Sequence, residues 1–424
     1  MNRTLFLIFI IIFFVGLDVY TYYGMTGLFG QTRFGRFYRI ITIGLIVSTY
    51  IAIFALLMHY MSGVDQGKKE MFNFLTGFVF TMLVTKLIFS AIMLVQDGGR
   101  YIIGFLSYIK SLYIDVDDAA AAFIPERRLF ITSLATLTAG IPFFGMLYGI
   151  TKGKYRYTIE RVNLSFKDLP AAFDGLRIVQ ISDIHSGSFD NKEKVRTGIE
   201  KINALKPDIV CFTGDLVNAE KEEIDPYLDI FSEIKSKYGK FAILGNHDYY
   251  GSWEKNNTMA EDAYFSDFFT KFRKMGFDLL NNENRTINIA GESIQLLGVE
   301  NWGAGRWFPK KGDLDKALVG VDKSAFKILM SHDPTHWDEK VVLHPEHIHL
   351  TLSGHTHGFQ FGFQLPGFKW SPAQYRYKKW LGLYQEGGKY LYVNRGFGFL
   401  GFPGRVGMWP EITLIELKRG GQNT

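Results

Sequence analysis

Five short apolar runs in this chain each end in residues able to hold a metal ion. Ser182-Asp183-Ile184-His185, Thr213-Gly214-Asp215, Gly245-Asn246-His247-Asp248, Ser331-His332-Asp333 and Gly354-His355-Thr356-His357 follow one another in that order. Carboxylates and imidazoles together suit Mn, Fe or Zn, and there are more of them here than one ion needs. Glycines before Asp215, Asn246 and His355 allow tight turns through which a backbone can approach ions or phosphate. Nine of the ten histidines lie between His185 and His357, whereas the sole cysteine, Cys211, rules out a disulfide framework and a thiolate zinc site.

The elements that must position these groups are short strands alternating with helices. The runs 176–181, 209–212, 241–244, 326–330 and 348–352 have strand length and are bounded by turn residues. Residues 191–205 and 227–238 repeat apolar positions every three to four and predict helices, and 155–166 alternates like an edge strand. In a sheet of βα units ligands gather beyond the carboxyl ends of the strands, so one crevice would receive all five motifs. On a strand over 347–352, His347 and His349 fall on one face and read as structural. His336 and His344 receive no role, and Asp248 reads as a group that orients a neighbour.

Charge divides the chain. Residues 1–150 hold 11 Lys/Arg and 8 Asp/Glu, against 36 and 34 in the 274 that follow. The net charges are +3 and +2, so neither part has the single-sign field of a nucleic-acid binder. The first part carries four apolar stretches, near 4–23, 37–60, 72–95 and 129–150, each long enough to cross a bilayer. A transmembrane region, 1–150, and a water-soluble domain, 151–424, are expected. Asp18 and Lys86 lie inside spans, where an ionisable group either lines a polar path or pairs within the bundle. Lysines and arginines balance across the two sets of loops, so they do not orient the bundle. Glu126-Arg127-Arg128-Leu129-Phe130-Ile131 resembles a twin-arginine export signal, which would place the second domain outside the cytoplasm.

Taken together, Asp-x-His, Gly-Asp, Gly-Asn-His-Asp, His and Gly-His-x-His in this order resemble the calcineurin-like metallophosphoesterase family across about residues 172–418. The turn 354–360 and the downstream Pro403, Arg405 and Pro410-Glu411-Ile412 are similar to those of its bacterial membrane-associated members. Phe359 departs from the pattern, since such members often have glycine there. The resemblance implies a four-layer αββα sandwich of α/β class, preceded here by an all-α four-helix transmembrane region. It implies two divalent metal ions (Mn, Zn or Fe). Asp183, His185 and His357 match ligands of the first and Asn246, His332 and His355 ligands of the second, with Asp215 bridging them. His247 matches a non-ligand histidine that contacts substrate or protonates the leaving group. Two ions so held would clamp a phosphoryl group and bring the pKa of water toward neutrality.

Substrate signals sit in 359–409, where aromatics such as Phe363, Phe368, Trp370, Tyr377 and Trp380 interleave with Lys369, Arg376, Lys378 and Lys379. That mixture suits the headgroup zone of a bilayer. Arg395 and Arg405 are candidates to bind substrate phosphate in bidentate fashion. The expectation is a multi-pass protein of a bacterial inner membrane that hydrolyses a phosphoester, a lipid or membrane-linked phosphodiester, on the extracytoplasmic side. A cytoplasmic-face pyrophosphatase of the UDP-diacylglucosamine type is one alternative. A transport or sensor bundle with a regulatory hydrolase domain is the other.

Overall fold

The computed structural model describes residues 3–29, 35–62, 69–113, 125–253, 258–306 and 308–420. They belong to two compact units, Met1–Tyr148 and Gly149–Thr424.

The first unit is built from α1 (Arg3–Phe29), α2 (Gly35–Ser62), α3 (Lys69–Ser111) and α4 (Pro125–Thr151). Among the described residues, Gly35–His59, Lys69–Lys110 and Leu129–Thr151 are long and apolar enough to cross a membrane. Their outward side chains are apolar too, as with Leu137, Ile141 and Phe144 on α4, which is how a helix meets lipid. The third stretch was expected to end near residue 95, but α3 runs through 43 residues, about 65 Å at 1.5 Å each. Asp97, Gly98, Gly99 and Arg100 interrupt the apolar run without ending the helix, and there Asp97 accepts from Tyr20 Oη (2.9 Å) and pairs with Arg100.

Asp18 and Lys86 pair with each other. Both are buried, and Tyr50 Oη donates to Asp18 at 2.8 Å, so α1, α2 and α3 meet at one charged point. Lys86→Met strands the Asp18 carboxylate. Breaking a buried pair this way typically costs about 3–5 kcal/mol, more than removing both charges. The detergent-solubilised variant should melt well below the parent, and adding Asp18→Asn should recover most of the loss. A double variant no more stable than the single would show that the pair is not what holds the three helices.

The second unit is a sandwich of two six-stranded sheets. Its strands are β1 (Thr158–Phe166), β2 (Arg177–Ile181), β3 (Ile209–Phe212), β4 (Lys240–Ala242), β5 (Asp278–Leu279), β6 (Glu283–Ile289), β7 (Glu292–Gly298), β8 (Lys327–Met330), β9 (Leu350–Ser353), β10 (Phe363–Leu365), β11 (Phe368–Trp370), β12 (Gly382–Glu386), β13 (Lys389–Val393) and β14 (Glu411–Arg419). The first sheet runs β1-β14-β2-β3-β4-β5 and the second β12-β13-β9-β8-β7-β6, while β10 and β11 form a separate ribbon. The site strands β2, β3 and β4 are mutually parallel, as are β8 and β9.

Their sequences are continuous apolar runs because both faces are covered. In β3, Ile209 and Cys211 point between the sheets, and Val210 and Phe212 point toward the outer helices. In β8, Ile328 and Met330 face inward and Leu329 faces the opposite layer with Trp337. Helix α5 (Lys192–Ala204) buries Val195, Ile199 and Ile202 on the first sheet, and its N-cap Asn191 accepts from Lys194 N. The helix expected over 227–238 shrinks to Leu228–Ser232, preceded by a 3₁₀ stretch, Lys221–Tyr227. Pro226 has no N–H to extend an α ladder backwards.

The last turn of α4 belongs to this second unit. Gly149 O accepts from Arg405 N at 3.4 Å, and three residues past the helix the buried Lys154 pairs with Asp190. Tyr155 Oη donates to the same carboxylate (2.8 Å) and accepts from Asp190 N (3.0 Å).

Candidate metal centre

All five motifs emerge at the carboxyl ends of β2, β3, β4, β8 and β9, three strands from one sheet and two from the other. The turns that aim them are strained. Asp183, His185, Asp215, His355 and His357 all have positive φ, between 47° and 71°. Non-glycine residues rarely occupy that region, and such positions cluster at functional sites. Close approach also dictates two glycines. A Cβ on Gly245 would collide with Asp215 Oδ1, and one on Gly354 with Ser182 Oγ and Asp183 Oδ2.

Two donor groups result. Ligand atoms of Asp183, His185 and His357 lie within 4.8 Å of one another, as do those of Asp215, His332 and His355. Within the first, His357 Nε2 is 3.0 Å from His185 Nε2 and 3.2 Å from Asp183 Oδ1. Asp215 Oδ2 stands between the groups, 3.1 Å from His332 Nε2 and 3.6 Å from His185 Nε2. Asn246 Oδ1 is buried without a hydrogen-bond partner, while its amide nitrogen donates to Tyr250 Oη at 3.1 Å.

These residues suit divalent cations. Facing imidazole nitrogens, buried carboxylates and an orphaned amide oxygen are what an ion would satisfy. The second ring nitrogens of His332, His355 and His357 have partners, whereas His185 Nδ1 is buried without one. His332 Nδ1 donates to Thr213 O (2.7 Å), and His355 Nε2 meets Tyr377 Oη (2.9 Å) and lies 3.5 Å from Asp333 Oδ2. Such partners fix the orientation of ligand rings. Burial pushes the Asp215 carboxyl up, but the imidazoles of His332, His247 and His185 outweigh it and hold the group well below the usual range. His332 is pushed up to about 10, burial being overcome by Asp215. Burial lowers His185 and His355, which favours the neutral rings a cation needs.

His247 is set apart. Its Nδ1 donates to Asn218 O at 2.6 Å, leaving Nε2 free of that contact, and its backbone N–H donates to Asp215 Oδ1 at 2.8 Å. Asp248 is an orienting group, accepting from the N–H groups of Gly245, Asp215, Leu216 and Val217 at 2.8–3.3 Å. It thereby pins the Asp215 turn to the Asn246 turn.

Residues 176–359 match the family model of the calcineurin-like phosphoesterase, and residues 2–154 that of a probable calcineurin-like phosphoesterase transmembrane domain. Over 301 residues the chain is 30% identical to the uncharacterized metallophosphoesterase YkuE of Bacillus subtilis, covering 69% of this chain and 98% of that protein. The chain belongs to the calcineurin-like phosphoesterase family. It is 27% identical over 293 residues to the phosphodiesterase YaeI of Escherichia coli, covering 69% of this chain and 99% of the other. A transmembrane protein with metallophosphoesterase domain from Danio rerio is 29% identical over 280 residues, 64% of this chain and 60% of that one. This phosphoesterase is thus a metal-dependent hydrolase with a transmembrane domain, of a family that uses divalent metals.

Two expected substrate groups are enclosed by protein partners. Arg395 is buried, its guanidinium bonded to Glu411 (2.7 Å), Glu160 (2.6 Å) and Gln364 (3.0 Å). Arg405 is wholly buried and donates to the carbonyls of Gly398, Met408 and Arg395, with one nitrogen 3.2 Å from His357 Nδ1. Both guanidinium groups are engaged by protein acceptors. Burial lowers Arg405 to about 9. Trp380 is also buried, whereas Phe359, at φ 49°, is exposed beside Tyr377. His349 bridges Asp168 (2.7 Å) and Lys327 N (2.9 Å), and His336 meets Ser331 Oγ (2.8 Å), both away from the donor groups.

From sequence, Asp333 and Tyr377 were named only as part of a motif and of an aromatic stretch, without a site role, and Asn218 was not named. Asp333 follows His332 directly and was legible as a carboxylate in that motif, but a tyrosine and a backbone carbonyl carry no spacing signal.

Arg395→Met leaves Glu411 buried and unpaired, so stability should fall by about 3–5 kcal/mol. Chemical denaturation reads this, and the KM of residual activity should stay unchanged. A selective rise in KM with stability intact would return Arg395 to the substrate.

Proposed function

We propose that this enzyme cleaves a phosphodiester of a membrane lipid or lipid-linked compound, on the extracytoplasmic face of a bacterial inner membrane, with His247 as the group that protonates the leaving oxygen. The observation that carries the chemistry is the convergence of two donor groups, buried except for the half-buried His355, around Asp215, with His247 beside them but outside both. When bound, a pair of divalent cations supplies Lewis acidity toward phosphoryl oxygens and makes water acidic enough to attack at neutral pH.

The chain's own residues supply the rest. Asp183, His185, Asp215, Asn246, His332, His355 and His357 would hold the ions. Anionic Asp215 suits a position between two cations, and neutral Asn246 adds an oxygen without adding charge against the phosphate. Asn218 O fixes the His247 tautomer with the proton on Nδ1, so the Nε2 edge exchanges a proton with substrate. A general acid of this kind contributes about 10²–10⁴-fold.

The diester reading is supported by the printed name of YaeI, a phosphodiesterase. The membrane-linked substrate is supported by the transmembrane domain in the same chain and by the aromatic and basic composition of 359–384. The outward orientation rests on the double arginine, Arg127-Arg128, before the fourth apolar stretch.

Hydrolysis of bis-p-nitrophenyl phosphate after metal stripping and return of Mn, Fe or Zn tests the metal requirement, with Asp215→Asn expected inactive. His247→Ala should keep its metal content. It should lose about 10²–10⁴-fold with alkyl leaving groups and much less with p-nitrophenolate, which departs without a proton. Equal losses for both leaving groups would remove His247 from the proton step.

A further inference from the structure

The ribbon of β10 and β11 has two unlike faces. Its register pairs Phe363 with Trp370, Gln364 with Lys369 and Leu365 with Phe368. Directly opposed residues share a face and alternate positions swap faces, so Phe363, Leu365, Phe368 and Trp370 lie on one side and Gln364 and Lys369 on the other. The polar side is fastened down. Gln364 Oε1 accepts from the buried Arg395 at 3.0 Å, and Lys369 Nζ donates to Leu381 O while lying over the Tyr384 ring.

The apolar side is open. Phe363, Leu365 and Phe368 are 43%, 60% and 56% exposed, with Phe363 stacked on Trp370 at 5.7 Å and 5.6 Å from Phe368. A two-stranded ribbon is marginal alone and gains nothing from showing its apolar face to water.

Charge says what covers it. From 358 to 385 there is no Asp or Glu, and four cations, Lys369, Arg376, Lys378 and Lys379, fall within that span. Lys379 is paired with Asp338, but Arg376 and Lys378 are exposed, with Tyr375 beside them. Aromatic and aliphatic tips flanked by cations complement the headgroup zone of an anionic bilayer. The chain also brings its own bilayer, since α4, one of the helices apolar enough to span, ends at Thr151 and β1 begins at Thr158.

We propose that the Phe363, Leu365, Phe368 and Trp370 face of the ribbon docks into the headgroup region of an anionic membrane, with Arg376 and Lys378 on lipid phosphates. This deepens the lipid-substrate reading and rests on it for its purpose. The same stretch reaches the metal centre, for Ser371 Oγ donates to Gly358 O (2.6 Å) and Tyr377 Oη meets His355 Nε2 (2.9 Å). A lipid engaged by the ribbon is therefore held beside the ligand turn.

The test uses the full chain reconstituted in mixed phosphatidylcholine–phosphatidylglycerol vesicles. The native thiol stays silent, because burial pushes Cys211 up to about 12. Phe368→Cys carries an environment-sensitive fluorophore. Val319→Cys serves as the control, being 72% exposed beside β6, at the far edge of the second sheet. Lipids with a nitroxide high on the acyl chain should quench the label at 368 at least about twofold more than the one at 319. Equal quenching at both positions would overturn the docking, whatever the substrate.

Leu365→Glu with Phe368→Glu should lower turnover of a lipid phosphodiester in vesicles by about tenfold and leave bis-p-nitrophenyl phosphate within about twofold. Matching losses on both esters, or none on either, would also overturn it. Selective quenching at 368 without hydrolysis of any lipid tested would keep the docking and retire the lipid substrate.

Discussion

Four carboxylates, Asp183, Asp215, Asp248 and Asp333, are buried around one pocket, and the surrounding structure is organised to make that burial tolerable. A buried carboxylate needs hydrogen bonds or an opposite charge. Asp248 takes four backbone N–H groups, Asp333 takes Thr335 N and Oγ1 (2.8 Å each), and Asp183 accepts from His355 N (3.0 Å). Asp215 is left facing imidazoles from both donor groups. The backbone reaches these arrangements only by passing through left-handed conformations at Asp183, His185, Asp215, His355 and His357. That strain is sustained by the two packed sheets beneath, whose strand ends have no freedom to relax.

The same demand explains Arg395 and Arg405. They lie well downstream of the donor motifs in the chain and carry the charge expected of phosphate binders, yet each is enclosed by protein acceptors. Arg395 pairs with Glu411 and Glu160, and Arg405 ties His357 to neighbouring carbonyls, contacts that residue type and spacing do not separate from substrate contact. Their placement depends on the turn after β13, in one sheet, meeting Glu411 at the start of β14, in the other, a contact between sheets that no local pattern announces.

What was legible in the sequence follows from how local the signal is. Each metal motif is a strand end plus a turn, so its residues sit within four positions of one another, and all five were identifiable. The β3 and β8 runs were clear for a related reason, since strands covered on both faces are uninterrupted apolar stretches. The length of α3 was not legible, because Asp97-Gly98-Gly99-Arg100 interrupts the apolar run while tertiary partners let the helix continue. The 227–238 helix failed on a single residue, Pro226, whose effect depends on where the first turn is placed. Tyr377 was hidden among many aromatics, and only folding set it against His355.

The covalent border between anchor and enzyme is not where the chain leaves its last long helix. The final turn of α4 packs its backbone on Arg405, and Lys154 with Tyr155 is tied to Asp190, five residues beyond His185. Residues 149–155 are thus part of the hydrolase, although they continue a helix apolar enough for a membrane. Recombination that exchanges membrane anchors between such proteins therefore has its workable crossover upstream of Gly149. A crossover at the visually obvious linker would separate the ligand loops from the segment that braces them.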